Sequence, residues 1–90
     1  MQWRVISDSA LHFRCWDNEY VIYNKLSGDT HLLGQTAGMI LLRLQENPTN
    51  LMTLAEYLAL FLRVELDEKF LFHIEHILAD LEMLALVEHT

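Results

Sequence analysis

Three side chains with the chemistry of a hydrolase triad lie close together in the sequence: Ser27, Asp29 and His31. Such a triad needs a serine nucleophile, a histidine base, a carboxylate that orients the base, and donors that stabilise an oxyanion. On a hairpin, Asp29 and His31 point to the same side, but the sequence offers no oxyanion hole or pocket beside them. We therefore interpret residues 27–30 as a turn that sets the register of the next strand, and we expect no catalytic residues and no enzyme activity.

Two histidines, His73 and His76, stand three residues apart on a predicted helix, a spacing that can bind a metal ion. A zinc site needs at least three protein ligands, and no third ligand lies nearby in the sequence. Cys15 is the only cysteine, so the chain can form neither an internal disulfide nor a thiolate cluster. We expect two solvated histidines, no metal and no cofactor.

The charge balance is acidic, with thirteen Asp and Glu residues against six Lys and Arg residues and a net charge of −7. Nucleic-acid binding needs a basic stripe, whereas the six basic residues here are scattered singly. An anionic membrane surface is disfavoured for the same reason, and the longest apolar stretch, residues 51–64, is too short to span a bilayer. With no signal peptide visible, we expect a cytoplasmic protein that binds neither nucleic acid nor membrane.

Hydrophobic residues make up 52% of the 90-residue chain, which is more apolar material than a small core needs. One explanation is that aromatic and alanine side chains lie half-exposed on the surface. The other is an apolar groove or a dimer face. Composition does not decide between them.

Residues 11–33 predict three short strands joined by two tight turns. Segments such as 21–23 and 30–33 carry the β-branched and aromatic residues that strands favour, and Gly28 permits a positive φ angle in the second turn. In a simple meander the third strand has an open edge, whereas residues 3–6 could cover the edge of the first strand. Residues 86–87 predict a short extended tail.

The remaining sequence predicts two helices before a longer third one. The first, residues 36–46, is capped by Thr36 or Gln35 and ends before Pro48. The second begins at a capping box of Thr53 and Glu56 and ends near Arg63. Their predicted core-facing residues are Ala37, Ile40, Leu41 and Leu44 in the first helix, and Leu54, Leu58, Phe61 and Leu62 in the second.

The third helix, capped by Asp67 and ending near Leu84, has apolar residues on two opposite faces. The predicted core face consists of Phe70, Ile74, Ile77, Leu78, Leu81 and Leu84. The opposite stripe consists of Phe72, Ala79 and Met83. This stripe either packs under the hairpins or against an N-terminal segment, or it faces a binding partner.

The strand region resembles the PqqD-like proteins, and within them the branch called HPr-rel-A system peptide chaperones. The similarity rests on His12, Arg14, residues 16–24 and residues 27–33, with weaker matches in the helices up to residue 88. The resemblance implies one PqqD-like peptide-recognition domain over residues 1–90, with an α+β, winged-helix-like fold: a three-stranded antiparallel meander followed by three helices.

The resemblance also implies a function: capture of a precursor or leader peptide as an added strand between the third strand and the third helix. It further implies a second partner, either a peptide-modifying enzyme or a protein related to the kinase of the phosphocarrier HPr. The expected peptide-binding residues are Thr30, His31, Leu32, Leu33, Phe72, His76, Ala79 and Met83. Acidic Glu75, Asp80 and Glu82 beside them would favour a basic peptide.

Two alternatives remain open from the sequence. A winged helix-turn-helix DNA-binding regulator would share this fold, although its recognition helix would bring several carboxylates towards phosphates. A structural homodimer without a peptide ligand would instead use the open strand edge to pair with a second copy.

Overall fold

A computed structural model describes residues 1–6 and 11–90 of the chain. Its elements, in chain order, are β1 (Trp3–Val5), β2 (Leu11–Trp16), β3 (Glu19–Asn24), β4 (Thr30–Leu33), α1 (Gln35–Glu46), α2 (Leu51–Leu62), α3 (Glu68–Met83) and β5 (Val87–His89). Strands β2, β3 and β4 form an antiparallel meander, and three helices follow it. This confirms the predicted α+β fold class.

Turn chemistry builds the meander. Asp17 and Asn18 both have positive φ angles, as a two-residue type I′ hairpin between β2 and β3 requires. Between β3 and β4, the side chain of Asn24 accepts a hydrogen bond from the Leu26 amide at 2.9 Å. Gly28, with a φ of 78°, donates its amide to the Asn24 carbonyl at 2.8 Å. The second turn therefore depends on Asn24 as well as on the expected glycine.

The N-terminal strand does not cover the meander, so that expectation was wrong. β1 pairs instead with β5 in a separate antiparallel ribbon, with Trp3 opposite His89. The Trp3 ring is buried and lies 4.8 Å from the His89 ring, and Arg4 forms a 2.8 Å ion pair with Glu88. These contacts hold the N-terminus against the C-terminal strand, which confirms the predicted extended tail.

Two of the three predicted helix starts need correction. α1 begins after Gly34, with no side-chain cap from Thr36 or Gln35. α2 begins two residues before Thr53, because the side chain of Asn50 accepts the Thr53 amide at 2.8 Å and replaces the expected capping box. At α3 the prediction is confirmed, since Asp67 accepts the Phe70 amide at 2.9 Å.

One hydrophobic core lies between the meander, the three helices and β5. Its fully buried large side chains are Ile22, Ile40, Leu41, Leu44, Leu54, Leu58, Ile74, Leu78, Leu81, Leu86 and Val87. The predicted core faces of the helices are therefore largely confirmed. The amphipathic pattern succeeds here because each helix buries one stripe against the same centre.

Two predicted core residues are instead exposed. Phe61 is 59% exposed and lies beside Tyr57, since α2 carries more apolar residues than its buried face can take. Leu84 is 44% exposed because it follows the last turn of α3, where the chain reverses through Ala85 at positive φ. That reversal brings Leu86 and Val87 into the core in its place.

The meander and α1 approach each other closely at Gly38 of α1. A Cβ atom placed there would overlap the ring of Tyr20 on β3. Burial raises the pKa of the Tyr20 hydroxyl above its usual value, and the neighbouring Cys15 raises it further. With only a hydrogen at the Gly38 Cα, the Tyr20 ring packs directly against the backbone of α1.

We predict that Gly38→Ala destabilises the protein even though alanine is the better helix former. The overlap with Tyr20 should cost about 1–3 kcal/mol, of which helix propensity offsets about 1 kcal/mol. Gly34→Ala is the matched control, because the space around Gly34 is open. Urea denaturation of both variants measures the difference, and equal stabilities would contradict the close packing.

Candidate functional site

The outer edge of β4 has no strand partner within the described part of the chain, because β4 pairs only with β3 and lies at the end of its sheet. Its four residues differ in burial: Thr30 and Leu32 are exposed, His31 is half-buried and Leu33 belongs to the core. The open edge predicted from the sequence is therefore present over residues 30–33.

The pairing register determines which backbone groups are available at this edge. The amide of Asn24 donates to the carbonyl of Asp29 at 2.9 Å, and Ile22 and Tyr20 are the partners of His31 and Leu33. Because hydrogen-bonded and non-hydrogen-bonded pairs alternate in an antiparallel ladder, His31 and Leu33 direct their backbone groups towards β3. Thr30 and Leu32 direct theirs outward, so the edge offers two amides and two carbonyls.

The same alternation divides the side chains between two faces. His31 and Leu33 lie on the face of the sheet that carries Ile22 and the core. Thr30 and Leu32 lie on the opposite, outer face. The four strand residues predicted to bind a peptide therefore form two pairs, one on each face of the sheet.

The second predicted part of the site, the apolar stripe of α3, is on the surface. Phe72 is 67% exposed and Met83 is 85% exposed, and Ala79 and His76 are also exposed. The alternative that the stripe packs under the hairpins is therefore wrong. Three of these residues, Phe72, His76 and Ala79, line a shallow hollow that they share with Lys69, His73 and Glu75.

Three of the four predicted helix residues are thus brought together, and Met83 lies beyond them at the end of α3. None of the residues that line this hollow comes from β4. Leu32 lines a different hollow, on the outer face of the sheet, together with Trp16, Asp17, Glu19 and Val21. That one ligand contacts both β4 and α3 stays a prediction.

The charges around α3 are partly paired. Glu82 lies 2.7 Å from the ring of His89, and Asp80 lies 3.7 Å from His76. Glu75 lines the hollow and has no ion-pair partner among residues 1–6 and 11–90. Of the three acids expected to favour a basic peptide, Glu75 is the one that lines the hollow with Phe72 and His76.

Ser27, which the sequence offered as a possible nucleophile, takes part in a turn. Its hydroxyl accepts the Asp29 amide at 3.2 Å inside the β3–β4 turn. Within the described ranges, no three His, Cys, Asp or Glu side chains come close enough together to hold a metal ion. No helix in these ranges is long and apolar enough to cross a membrane.

Sequence reasoning missed the hollow on the outer face of the sheet. Side chains alternate between the two faces of a strand, and this alternation could have indicated the hollow. Trp16, Val21 and Leu32 all lie on the outer face once the two hairpin registers are known. Trp16 is 75% exposed and Leu32 is 67% exposed, so this face carries apolar side chains in contact with water.

No protein-family model matches the sequence, and no curated protein is significantly similar to it. Among solved structures, TbiB1 in complex with the TbiA(beta) leader peptide matches with a TM-score of 0.73 at 17% sequence identity. The match covers 97% of this chain and 96% of the TbiB1 chain. The chain therefore shares its fold with TbiB1 over nearly its whole length.

For the α3 stripe, we predict that Phe72→Ala changes the free energy of unfolding by no more than about 0.5 kcal/mol, because the ring is on the surface. Phe70→Ala is the matched control two residues earlier, where the ring packs against the core. It should lose about 2 kcal/mol or more. Chemical denaturation of both variants tests this. A large loss of unfolding free energy for Phe72→Ala would show that the ring is buried.

For the β4 edge, we predict opposite effects of proline at neighbouring positions. Leu32→Pro removes an amide that points to solvent, so the fold should remain intact. His31→Pro removes an amide that bonds to β3 and should cost about 1–3 kcal/mol. Thermal melts and amide-resolved NMR spectra of the two variants distinguish them. A larger loss of stability for Leu32→Pro than for His31→Pro would show that the register is shifted by one residue.

Proposed function

We propose that this protein is a non-catalytic, PqqD-like peptide-recognition domain spanning residues 1–90. It captures a precursor or partner peptide as an added strand along β4, beside α3, and presents it to a modifying enzyme. The observation that carries the proposal is the open β4 edge, where Thr30 and Leu32 direct unpaired backbone groups outward. The fold shared with TbiB1, whose structure contains a leader peptide, supports the same function.

Free-energy magnitudes indicate that the strand edge alone does not give useful affinity. Four backbone hydrogen bonds contribute about 2–6 kcal/mol in total at about 0.5–1.5 kcal/mol each. Micromolar binding corresponds to a net free energy of about 8 kcal/mol, so the contacts must supply this and also offset the cost of ordering the peptide. Side-chain contacts must supply the rest, and we propose that Phe72, His76 and Ala79, which line one hollow on α3, supply part of them.

DNA binding is disfavoured by the charge of the same helix. α3 begins at Glu68 and carries Glu75, Asp80 and Glu82 on exposed positions, against Lys69 as its only Lys or Arg residue. Placed in a groove of DNA, these carboxylates would repel the phosphates. Peptide capture uses the exposed strand edge and does not need a basic surface.

A random library of displayed 12-residue peptides tests the proposal without knowledge of the natural ligand. Enriched peptides should shift the amide signals of residues 30–33 and of the α3 hollow in NMR titrations. Leu32→Pro should weaken their binding at least about tenfold, since each 1.4 kcal/mol lost is a factor of ten. Phe72→Ala should also weaken binding while leaving stability intact.

Cys15→Pro is the control on the opposite edge of the meander. Trp16 and Glu19 close the two-residue turn, so the next pair, Cys15 and Tyr20, is a non-hydrogen-bonded pair and the Cys15 amide also points outward. This variant should bind the enriched peptides like the wild type. Equal losses for both proline variants, or salt-sensitive binding of random duplex DNA at submicromolar concentration, would contradict the proposed function.

A further inference from the structure

The outer face of the meander carries a hollow that the proposed site on α3 does not use. It is lined by Trp16, Asp17, Glu19, Val21 and Leu32. Its apolar floor comes from three different strands, with Leu32 directly opposite Val21 and Trp16 further along β2. Both of its charged side chains are acidic.

This hollow is continuous with the open edge, because Leu32 belongs to both. Leu32 directs its backbone groups outward from the sheet and its side chain onto the outer face. The next residue on this face is Gly34, which has no side chain, and the space beside it is empty. Nothing on β4 beyond Leu32 therefore separates the hollow from a strand added at the edge.

An antiparallel strand that bonds to Leu32 must place one side chain here. Residues that are directly opposite each other in an antiparallel ladder share a face, with Cβ atoms about 4.5–5.5 Å apart. The peptide residue opposite Leu32 therefore lies on the outer face, while its two neighbours turn towards the core side. Gly34 follows β4 in extended backbone, and continuing the register one residue past the Leu33–Tyr20 pair places the peptide residue two positions earlier opposite Gly34, on the side of the hollow where Glu19 lies.

We propose that the captured peptide is read on the outer face of the sheet as well as on the α3 side, through a basic-x-apolar segment. The apolar residue pairs with Leu32 and packs over it into the near side of the hollow, where Val21 lies. The basic residue, two positions earlier, lies beside Glu19 and Asp17. This inference rests on the proposed strand addition at β4 and specifies one part of the sequence that the peptide must contain.

The test uses the displayed 12-residue library on three proteins in parallel: wild type, Leu32→Thr and Leu26→Thr. Leu26 is the matched control, since it is 75% exposed in the β3–β4 turn but lies outside the hollow. Threonine suits a strand edge, so Leu32→Thr keeps the backbone in place. The wild type and Leu26→Thr should enrich the basic-x-apolar pattern, and Leu32→Thr should lose the apolar preference.

Calorimetry with one synthesised peptide from the wild-type selection gives the magnitude. Leu32→Thr should bind it about tenfold more weakly, the size expected when one well-packed apolar contact is lost, and Leu26→Thr should bind it within about twofold of wild type. Replacing the apolar peptide residue by alanine should weaken binding to the wild type but add little in Leu32→Thr, because both changes remove the same contact.

The outcomes separate this inference from the proposed function. If Leu32→Thr binds like the wild type while Leu32→Pro does not, the edge is used without the outer face, and the inference is overturned alone. If Leu32→Pro also binds normally, or if no peptide is enriched on the wild type, strand addition at β4 is wrong and the inference fails with it.

Discussion

The register of β4 on β3 is the constraint on which the rest of the molecule depends. It places Leu33 in the core and Leu32 on the surface, and a slip of one residue would exchange them. The β3–β4 turn fixes this register through the hydrogen bonds of Asn24 with Gly28 and Asp29. The same alternation along β4 determines that Thr30 and Leu32, rather than His31, direct their backbone groups towards the open edge.

A second constraint is the pairing of the two chain termini. Because β1 pairs with β5, the C-terminal residues Leu86 and Val87 are held in the core beside α3. α3 consequently buries Ile74, Leu78 and Leu81 and turns Phe72 towards solvent. The ribbon thus leaves the outer edge of β4 and the outer stripe of α3 on the surface.

These two constraints explain how an acidic chain of this size can share a fold with TbiB1 at 17% identity. The fold needs a few buried apolar positions, two hairpin turns and helix caps, and many sequences meet those needs. The proposed recognition uses other residues, at the strand edge, on the exposed face of α3 and on the outer face of the sheet. Because those surfaces are not set by the fold, the shared fold does not specify what they bind.

Residue types and their spacing were sufficient to predict the elements whose signals are local. Turn residues and β-branched segments predicted the meander, Asp67 predicted the start of α3, and apolar periodicity predicted most of the core. Two local predictions failed. The Asn50 side chain caps α2 in place of Thr53, and α1 begins after Gly34 with no side-chain cap.

Features that depend on contacts between residues distant in sequence could be read from the folded chain alone. It paired β1 with β5 rather than with β2, and it left Phe72 exposed while burying Leu86. It also brought Trp16, Val21 and Leu32 into one hollow, since residues from three strands become neighbours only when both hairpin registers are set. Periodicity shows which residues share a face, but packing decides whether that face meets another element or water.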